Sequence, residues 1–312
     1  ISMMVLSKID YEKYDKMSKY IFMAGLVSLM LVFVPGLGVT LNGATRWISI
    51  GGHTIQPSEF AKLAIIIYTA SALNRKKEDL RTFLKGVLPF LIVAGIAFGL
   101  IMLQPDFSTA VSIVAIVLVM IFIAGANIGH LIGLSLPAFA ALIMLIISEP
   151  YRLVRWTSFL DPFQDPRGSG YQAIQSLYAL GSGGLFGLGL GRSRQKFFYI
   201  PLPQNDFIFS IIGEELGFIG AVTVIFLFML LVWRGIRVAL HAPDFFGCIL
   251  ATGIIAMIAL QVIMNIAVVT SSMPVTGIPL PFISAGGSSL LFTLSSIGVL
   301  LNISRKSSIN WS

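Results

Sequence analysis

The sequence predicts an all-helical protein that crosses a membrane many times. Three observations carry that prediction. Hydrophobic residues make up 56% of the 312-residue chain and charged residues only 11%, against about 25% charged in a soluble domain. Mean hydropathy is +0.90. Apolar runs of about 20 residues recur, each long enough to cross the hydrocarbon core of a bilayer. They are apolar on all faces, and an open sheet edge cannot survive in lipid, so helices are the economical choice.

The elements follow in order. "ISMMVLS" at the start is apolar but too short to span, and no signal peptide is expected before it. It is expected to be the tail of a helix whose beginning lies outside the sequence. Eight full spans follow, at about Tyr20–Pro35, Ser58–Leu73, Phe83–Leu103, Ser108–Ala126, Ile128–Ser148, Phe207–Trp233, Phe245–Thr270 and Gly287–Ser304. Residues 149–206 are expected to form one large loop, long for a connection between packed spans. The whole of 1–312 is expected to be a single membrane domain.

Charge orients the spans. Alternating them places thirteen of the 21 basic residues on one side: Lys8, Lys13, Lys16, Lys19, Arg75, Lys76, Lys77, Arg81, Lys85, Arg234, Arg237, Arg305 and Lys306. Positive-inside bias makes that side cytoplasmic. Seven lie on the other side, and six of those (Arg152, Arg155, Arg167, Arg192, Arg194 and Lys196) fall in the 149–206 loop. The sequence pI of about 9.6 is thus explained by topology, and nucleic acid is not expected as a partner. The lone Cys248 allows no disulfide framework or thiolate cluster, and His53, His130 and His241 show no metal-ligand spacing.

Several motifs break the apolar pattern. "GSGGLFGLGLG" at 181–191 lacks the spacing and the strand–turn–helix setting of a nucleotide loop. It reads as a re-entrant or close-packed segment, with the basic "GRSRQK" after it as the functional part. Gly213, Gly217 and Gly220 read as small-residue helix packing. "NGATRWISIGGHTIQPSEFAK" pairs Arg46 with Trp47 in an outer loop and sets Glu59 and Lys62 three residues apart at the start of a span. An ion pair there is costly and usually faces a cavity. In "LQPDFSTA", Asp106 fits a helix N-cap and a functional carboxylate equally well. "PLPFISAGGSSLLF" mixes Pro, Gly and hydroxyls, including Ser288 and Ser289, at the mouth of the last span; a broken helix of this kind tends to line a cavity. Asp206, in "LPQNDFIFSIIGEELGF", follows the cationic loop at the start of an apolar run. It can cap the next helix, or accept a proton beside an anion site.

Together "NGATRWI", "QPSEFAKL", "LQPDFSTA", "FLDPFQDPRGSGYQAIQSLYALGSGGLFGLGLG", "PQNDFIFSIIGEELGFIG" and "PVTGIPLPFISAGGSS" resemble the SEDS family of shape, elongation, division and sporulation proteins (FtsW, RodA and SpoVE). The match runs in order from about residue 8 to 304, and "GLFGLGLGRSRQKFFYIP" is more similar to the FtsW/SpoVE branch. The family often has Thr where this chain has Asn205 and an aromatic where it has Ala285; neither change removes a charge. The resemblance implies a SEDS-type helical bundle of ten spans. It also implies a peptidoglycan glycosyltransferase that polymerises lipid II into β-1,4 glycan strands at the outer face of the bacterial cytoplasmic membrane. A class B penicillin-binding transpeptidase, with other divisome or elongasome membrane proteins, is the implied partner. Asp206 is the implied catalytic acid. Arg46, Trp47, Glu59, Lys62, Asp106, Gln172, Arg192, Arg194, Lys196, Ser288 and Ser289 are the expected substrate-binding set.

The chemistry accords with these residue types. A sugar hydroxyl must lose a proton as it attacks, so one positioned carboxylate suffices. An α-linked donor giving a β-linked product inverts and needs no covalent carboxylate. The pyrophosphate leaving group calls for cations, supplied by Arg, Lys or a divalent ion such as Mg2+. Two other readings stay open on the sequence. One is a flippase for the lipid-linked precursor, with Glu59 and Lys62 lining its path; the other is a non-catalytic scaffold for a wall transpeptidase.

Overall fold

The computed structural model describes residues 1–41, 43–195 and 205–307. Eleven α-helices run through them: α1 Ser2–Leu6, α2 Glu12–Leu31, α3 Pro57–Arg75, α4 Leu88–Met102, α5 Phe107–Ile123, α6 Ile128–Ile147, α7 Pro150–Leu160, α8 Tyr171–Ser182, α9 Ile208–Leu240, α10 Phe245–Val269 and α11 Gly287–Lys306. A π-helical turn, Phe83–Val87, leads into α4. Each of the eight expected spans has its long helix. Five segments (Phe83–Met102, α6, α9, α10 and α11) are long and apolar enough to cross a membrane by length and composition.

Two features depart from the helices-and-loops expectation. Residues 38–55 contain a three-stranded antiparallel sheet, β1 Gly38–Leu41, β2 Ala44–Ile50 and β3 His53–Ile55, in the order β1-β2-β3. The β2–β3 hairpin pairs Ile50 with His53 across Gly51 and Gly52, both at positive φ, as a two-residue hairpin of the type favoured by strand twist demands. The second departure lies in 149–206, which is not one open loop but carries α7 and α8. Its two Asp-Pro steps make turns. Asp161 accepts a hydrogen bond from the Phe163 N–H at 3.2 Å. Asp165 accepts the N–H groups of Gly168 and Ser169 at 3.0 and 2.8 Å. Those bonds, the Ser169 N–H foremost, hold the Asp165 carboxyl below its ordinary pKa.

The chain divides into two compact units, Ile1–Leu131 with Val232–Leu260 and Gly287–Ser312, and Ile132–Leu231 with Gln261–Gly286. In the first, α3 is the central helix. Pro57 in its first turn needs no backbone partner there, and nearly every side chain from Ser58 to Leu73 is buried. Gly25 of α2 lies against α3, where an added Cβ would stand 2.9 Å from the Ala64 Cβ; small residues let two backbones approach without a side chain between them. At one end the Ser18 and Ser71 hydroxyls bond at 2.8 Å. Asn302 of α11 accepts the Tyr11 N–H at 2.9 Å and donates to the Ser7 carbonyl at 3.0 Å, tying the N-terminal residues to the last helix.

In the second unit, the Ser176 hydroxyl of α8 donates to the Val269 carbonyl at the end of α10, at 2.7 Å. Phe228 stacks on Phe282 with centroids 6.4 Å apart. Both contacts fix the 270–286 connection to its helices.

Candidate functional site

In the first unit, polar side chains follow one face of the sheet-to-helix junction. Gln56 stands at the N-terminus of α3, and Glu59 and Lys62 recur at steps of three, which a helix places on one side. The Lys62 ammonium donates to Glu59 Oε1 at 2.8 Å, with the two side chains 3% and 5% exposed. The expected ion pair is therefore present and almost fully buried. Glu59 also sits in the first turn of α3, where a helix dipole favours an anion.

Asp106 resolves as the N-cap of α5. Its carboxylate accepts the Thr109 N–H at 3.2 Å and the Thr109 hydroxyl at 2.9 Å, and the Gln56 amide at 3.4 Å. Arg46 on β2 lies 3.9 Å from the same carboxylate. It donates from Nε to the Gln104 carbonyl at 3.1 Å and from Nη2 to the Pro105 carbonyl. Arg46 thus spans the residues just before α5 with part of its guanidinium still exposed. Trp47 pairs with Val39 across the β1–β2 ladder, and Thr45 with Thr40, so Arg46 is the extra residue of a β-bulge between them. Ser288 and Ser289 open α11, the first half-buried and the second buried.

The second unit holds Asp206, half-buried in the turn before α9. Its backbone carbonyl accepts the Asn265 side-chain amide at 2.8 Å. Gly277, at φ +74, lies so close that an added Cβ would stand 3.6 Å from Asp206 Oδ2. Gln172 is half-buried in the first turn of α8, and Arg192 and Arg194 are exposed. Lys196 lies outside the described residues.

The glycine-rich segment explains how that unit is built. An unbroken α9 would bond the N–H groups of Phe218 and Ile219 to the carbonyls of Glu214 and Glu215. Instead Gly217 adopts φ 67, ψ −168, and residues 184–189 fill the break. Phe218 and Ile219 donate to the carbonyls of Gly184 and Leu185 at 2.8 and 3.2 Å. Glu214 and Glu215 accept the N–H groups of Leu188 and Gly189 at 2.9 and 3.0 Å. These four backbone groups freed by the kink are met, as an apolar surrounding requires. A Cβ on Gly217 would strike the Gly187 nitrogen and stand 2.6 Å from the Leu185 oxygen. The close-packed reading of "GSGGLFGLGLG" is therefore right. The reading of Gly217 as ordinary helix packing is not, because this glycine is the break itself.

Glu214 and Glu215 are the residues whose task the sequence does not disclose. Glu214 is 1% exposed. Its carboxylate accepts the Ser193 hydroxyl at 2.5 Å and the N–H groups of Arg194 and Gln195 at 3.0 and 3.4 Å. Glu215 accepts the Ser193 N–H at 3.3 Å. Two carboxylates thus grip the backbone of the basic loop and leave its arginines outward. The signal was there in "GEELG", two acids in an apolar run, but their partners lie about 20 residues upstream in a loop without periodicity.

Among the described residues no group of three or more His, Cys, Asp or Glu could hold a metal ion. A Mg2+ ion is often held by one or two carboxylates together with phosphate oxygens, and such an arrangement needs no preformed cluster.

These helices and the buried charges within them define a polytopic helical membrane protein. The chain belongs to the FtsW/RodA/SpoVE family, whose model, described as "Cell cycle protein", matches residues 1–309. It is 52% identical over 307 residues to "Stage V sporulation protein E" of Bacillus subtilis (strain 168), covering 98% of this chain and 84% of that protein. It is 45% identical over 306 residues to "Probable peptidoglycan glycosyltransferase FtsW" of Geobacter sp. (strain M18), covering 98% and 83%. Among solved structures it is similar to a chain from "Structural coordination of polymerization and crosslinking by a peptidoglycan synthase complex", with TM-score 0.81 and 32% identity over 97% of this chain and 85% of that one. Rod shape determining protein RodA of Thermus thermophilus matches with TM-score 0.71 and 29% identity over 99% and 84%. The higher identity to the sporulation protein and FtsW than to RodA agrees with the branch expected from the sequence.

Proposed function

We propose that this protein is a peptidoglycan glycosyltransferase that polymerises lipid II into β-1,4 glycan strands, with Asp206 as general base. The observation that supports this most directly is the setting of Asp206. It is a half-exposed carboxylate at the foot of a membrane helix, held through its own carbonyl by Asn265. A loop bearing the exposed Arg192 and Arg194 precedes it in the chain.

In this reading Asp206 accepts the proton of the acceptor sugar's 4-hydroxyl as that oxygen attacks C1 of the donor. The C1–O bond to the lipid pyrophosphate breaks, and configuration inverts in one displacement. Arg192 and Arg194, with Lys196, offset the charge that develops on the leaving pyrophosphate. Arg46, Trp47, Glu59, Lys62, Asp106, Gln172, Ser288 and Ser289 are proposed to bind substrate. For Asp106 this is additional to its cap, and for Glu59 and Lys62 it is additional to their ion pair. The active face is proposed to look outward from the bacterial inner membrane, with a class B penicillin-binding protein as partner.

The test is polymerisation of purified lipid II by the wild type and by Asp206→Asn. Asn caps a helix about as well as Asp but cannot take a proton. The Asn variant should fold, insert and co-purify with its partner, yet form no glycan. Polymerisation near the wild-type rate would make Asp206 a structural cap. Lipid translocation without polymer by the wild type would instead identify a flippase, which the buried Glu59–Lys62 pair would then serve.

A further inference from the structure

Asn265 lies on α10, 1% exposed, in the unit that holds Asp206. Its Nδ2 donates twice, to the Asp206 carbonyl at 2.8 Å and to the Ile278 carbonyl at 2.9 Å. Both acceptors are carbonyl oxygens, so the amide has one workable orientation. Both N–H bonds are used, and they join two chain segments distant in sequence to one point on one helix.

The arrangement has a cost that packing does not explain. Asn265 Oδ1 is buried and has no hydrogen-bond partner. One helical turn earlier Gln261 is 2% exposed, with neither amide atom partnered. An unmet buried acceptor is destabilising, and an apolar residue of similar size would avoid it. What the amide contributes in return is the double clamp.

The clamp acts where it matters for the carboxylate. Ile278 follows Gly277, where an added Cβ would stand 3.6 Å from Asp206 Oδ2. Two residues later the Leu280 N–H donates to the Ser284 hydroxyl at 2.8 Å, and the Ser284 N–H returns to the Leu280 carbonyl at 3.1 Å. Residues 280–284 are therefore closed into a turn, and Asn265 fastens the Ile278 carbonyl just before that turn, together with the Asp206 backbone, to α10.

We infer that Asn265 is the positioning residue for Asp206: its side-chain amide sets the height and direction of the carboxylate by clamping the Asp206 and Ile278 carbonyls to α10. The inference rests on the reading of Asp206 as the base. Asn265 touches neither substrate nor reacting atoms. Misplacing a catalytic group by an ångström can lower the rate roughly 100-fold, so the effect falls on kcat.

The experiment measures lipid II polymerisation by Asn265→Ala and Asn265→Asp in the purified full chain with its partner, alongside Asp206→Asn. Thermal unfolding in detergent is the folding control. The expected result is a roughly 10- to 100-fold loss of kcat, with the KM for lipid II unchanged. The order of the two variants discriminates between roles. Asp has the shape of Asn but, when ionised, no proton to donate, and it faces two carbonyl oxygens. A clamp makes Asp at least as damaging as Ala, whereas a space-filling role makes Asp the milder change. Wild-type kcat in either folded variant, or an effect confined to KM, overturns the inference. If both variants unfold, Asn265→Gln decides, since it keeps both donors on a longer arm: reduced kcat supports the clamp and wild-type kcat overturns it. Active Asp206→Asn would sink the base assignment and this inference together. Inactive Asp206→Asn beside fully active Asn265 variants would sink this inference alone.

Discussion

Lys62 and Glu59 show how much a single side chain decides. Both are buried, and they meet at 2.8 Å, so removing one strands the other charge in an apolar setting. Such a break costs about 3–5 kcal/mol. Lys62→Met and Glu59→Gln should each lower the thermal midpoint, and the combined Lys62→Met, Glu59→Leu protein should recover most of the loss. If the pair only holds the helix, polymerisation returns with stability; the proposed substrate role has activity staying lost. Asp165 gives a second prediction at this scale. Hydrogen bonds from Ser169 and Gly168 lower its pKa in the folded protein, so the charged form favours the folded turn. That contribution is complete above the unfolded value of about 3.9 and is lost as pH falls through the lower folded value. Protease resistance of residues 160–171 should hold down to about pH 4 and fall below it, and Asp165→Asn should remove the dependence.

At the scale of the element, α9 is the instructive case. Its length and apolarity were readable, but its break was not. Gly217 occupies a backbone region that is essentially glycine-only, and forcing another residue there costs of order 1–3 kcal/mol before any clash with residues 185–187. Gly217→Ala should therefore lower the thermal midpoint more than Gly95→Ala in α4, where an added Cβ meets nothing within 4 Å, a difference that thermal unfolding in detergent will read directly. The same break places Glu214 and Glu215 beneath the basic loop. Glu214→Gln turns into a donor one of the two oxygens that separately accept the Arg194 and Gln195 N–H groups, so the loop should loosen. The lipid II concentration needed for half-maximal polymerisation should rise, as it should when Arg192, Arg194 and Lys196 are neutralised together.

For the whole molecule, the distribution of basic residues predicts which side faces the cytoplasm. With Cys248 replaced by Ala, a single cysteine at Arg192 should react with a membrane-impermeant thiol reagent on intact spheroplasts. One at Lys77 should react only after permeabilisation. The opposite pattern would invert the proposed orientation and put the Asp206 turn on the wrong side for an extracytoplasmic reaction.

The sequence by itself determined the membrane class, the eight long helices, the family and the residues worth testing, because each is written in local pattern. Span length, charge bias and short motifs need no knowledge of what lies across the fold. The Glu59–Lys62 pair was readable for the same reason: its members share one helical turn. The sheet at 38–55 was readable in principle, from Gly-Gly between β-branched residues, but the apolar context hid it. Only the tertiary structure decided the rest. It placed residues 184–189 in the break at Gly217, bound the 193–195 backbone to Glu214 and Glu215, and clamped the Asp206 and Ile278 carbonyls to Asn265. Those contacts join residues about 13 to 59 positions apart, and no periodicity reports a partner at that distance. What selects them is the demand that every polar group buried away from water find another.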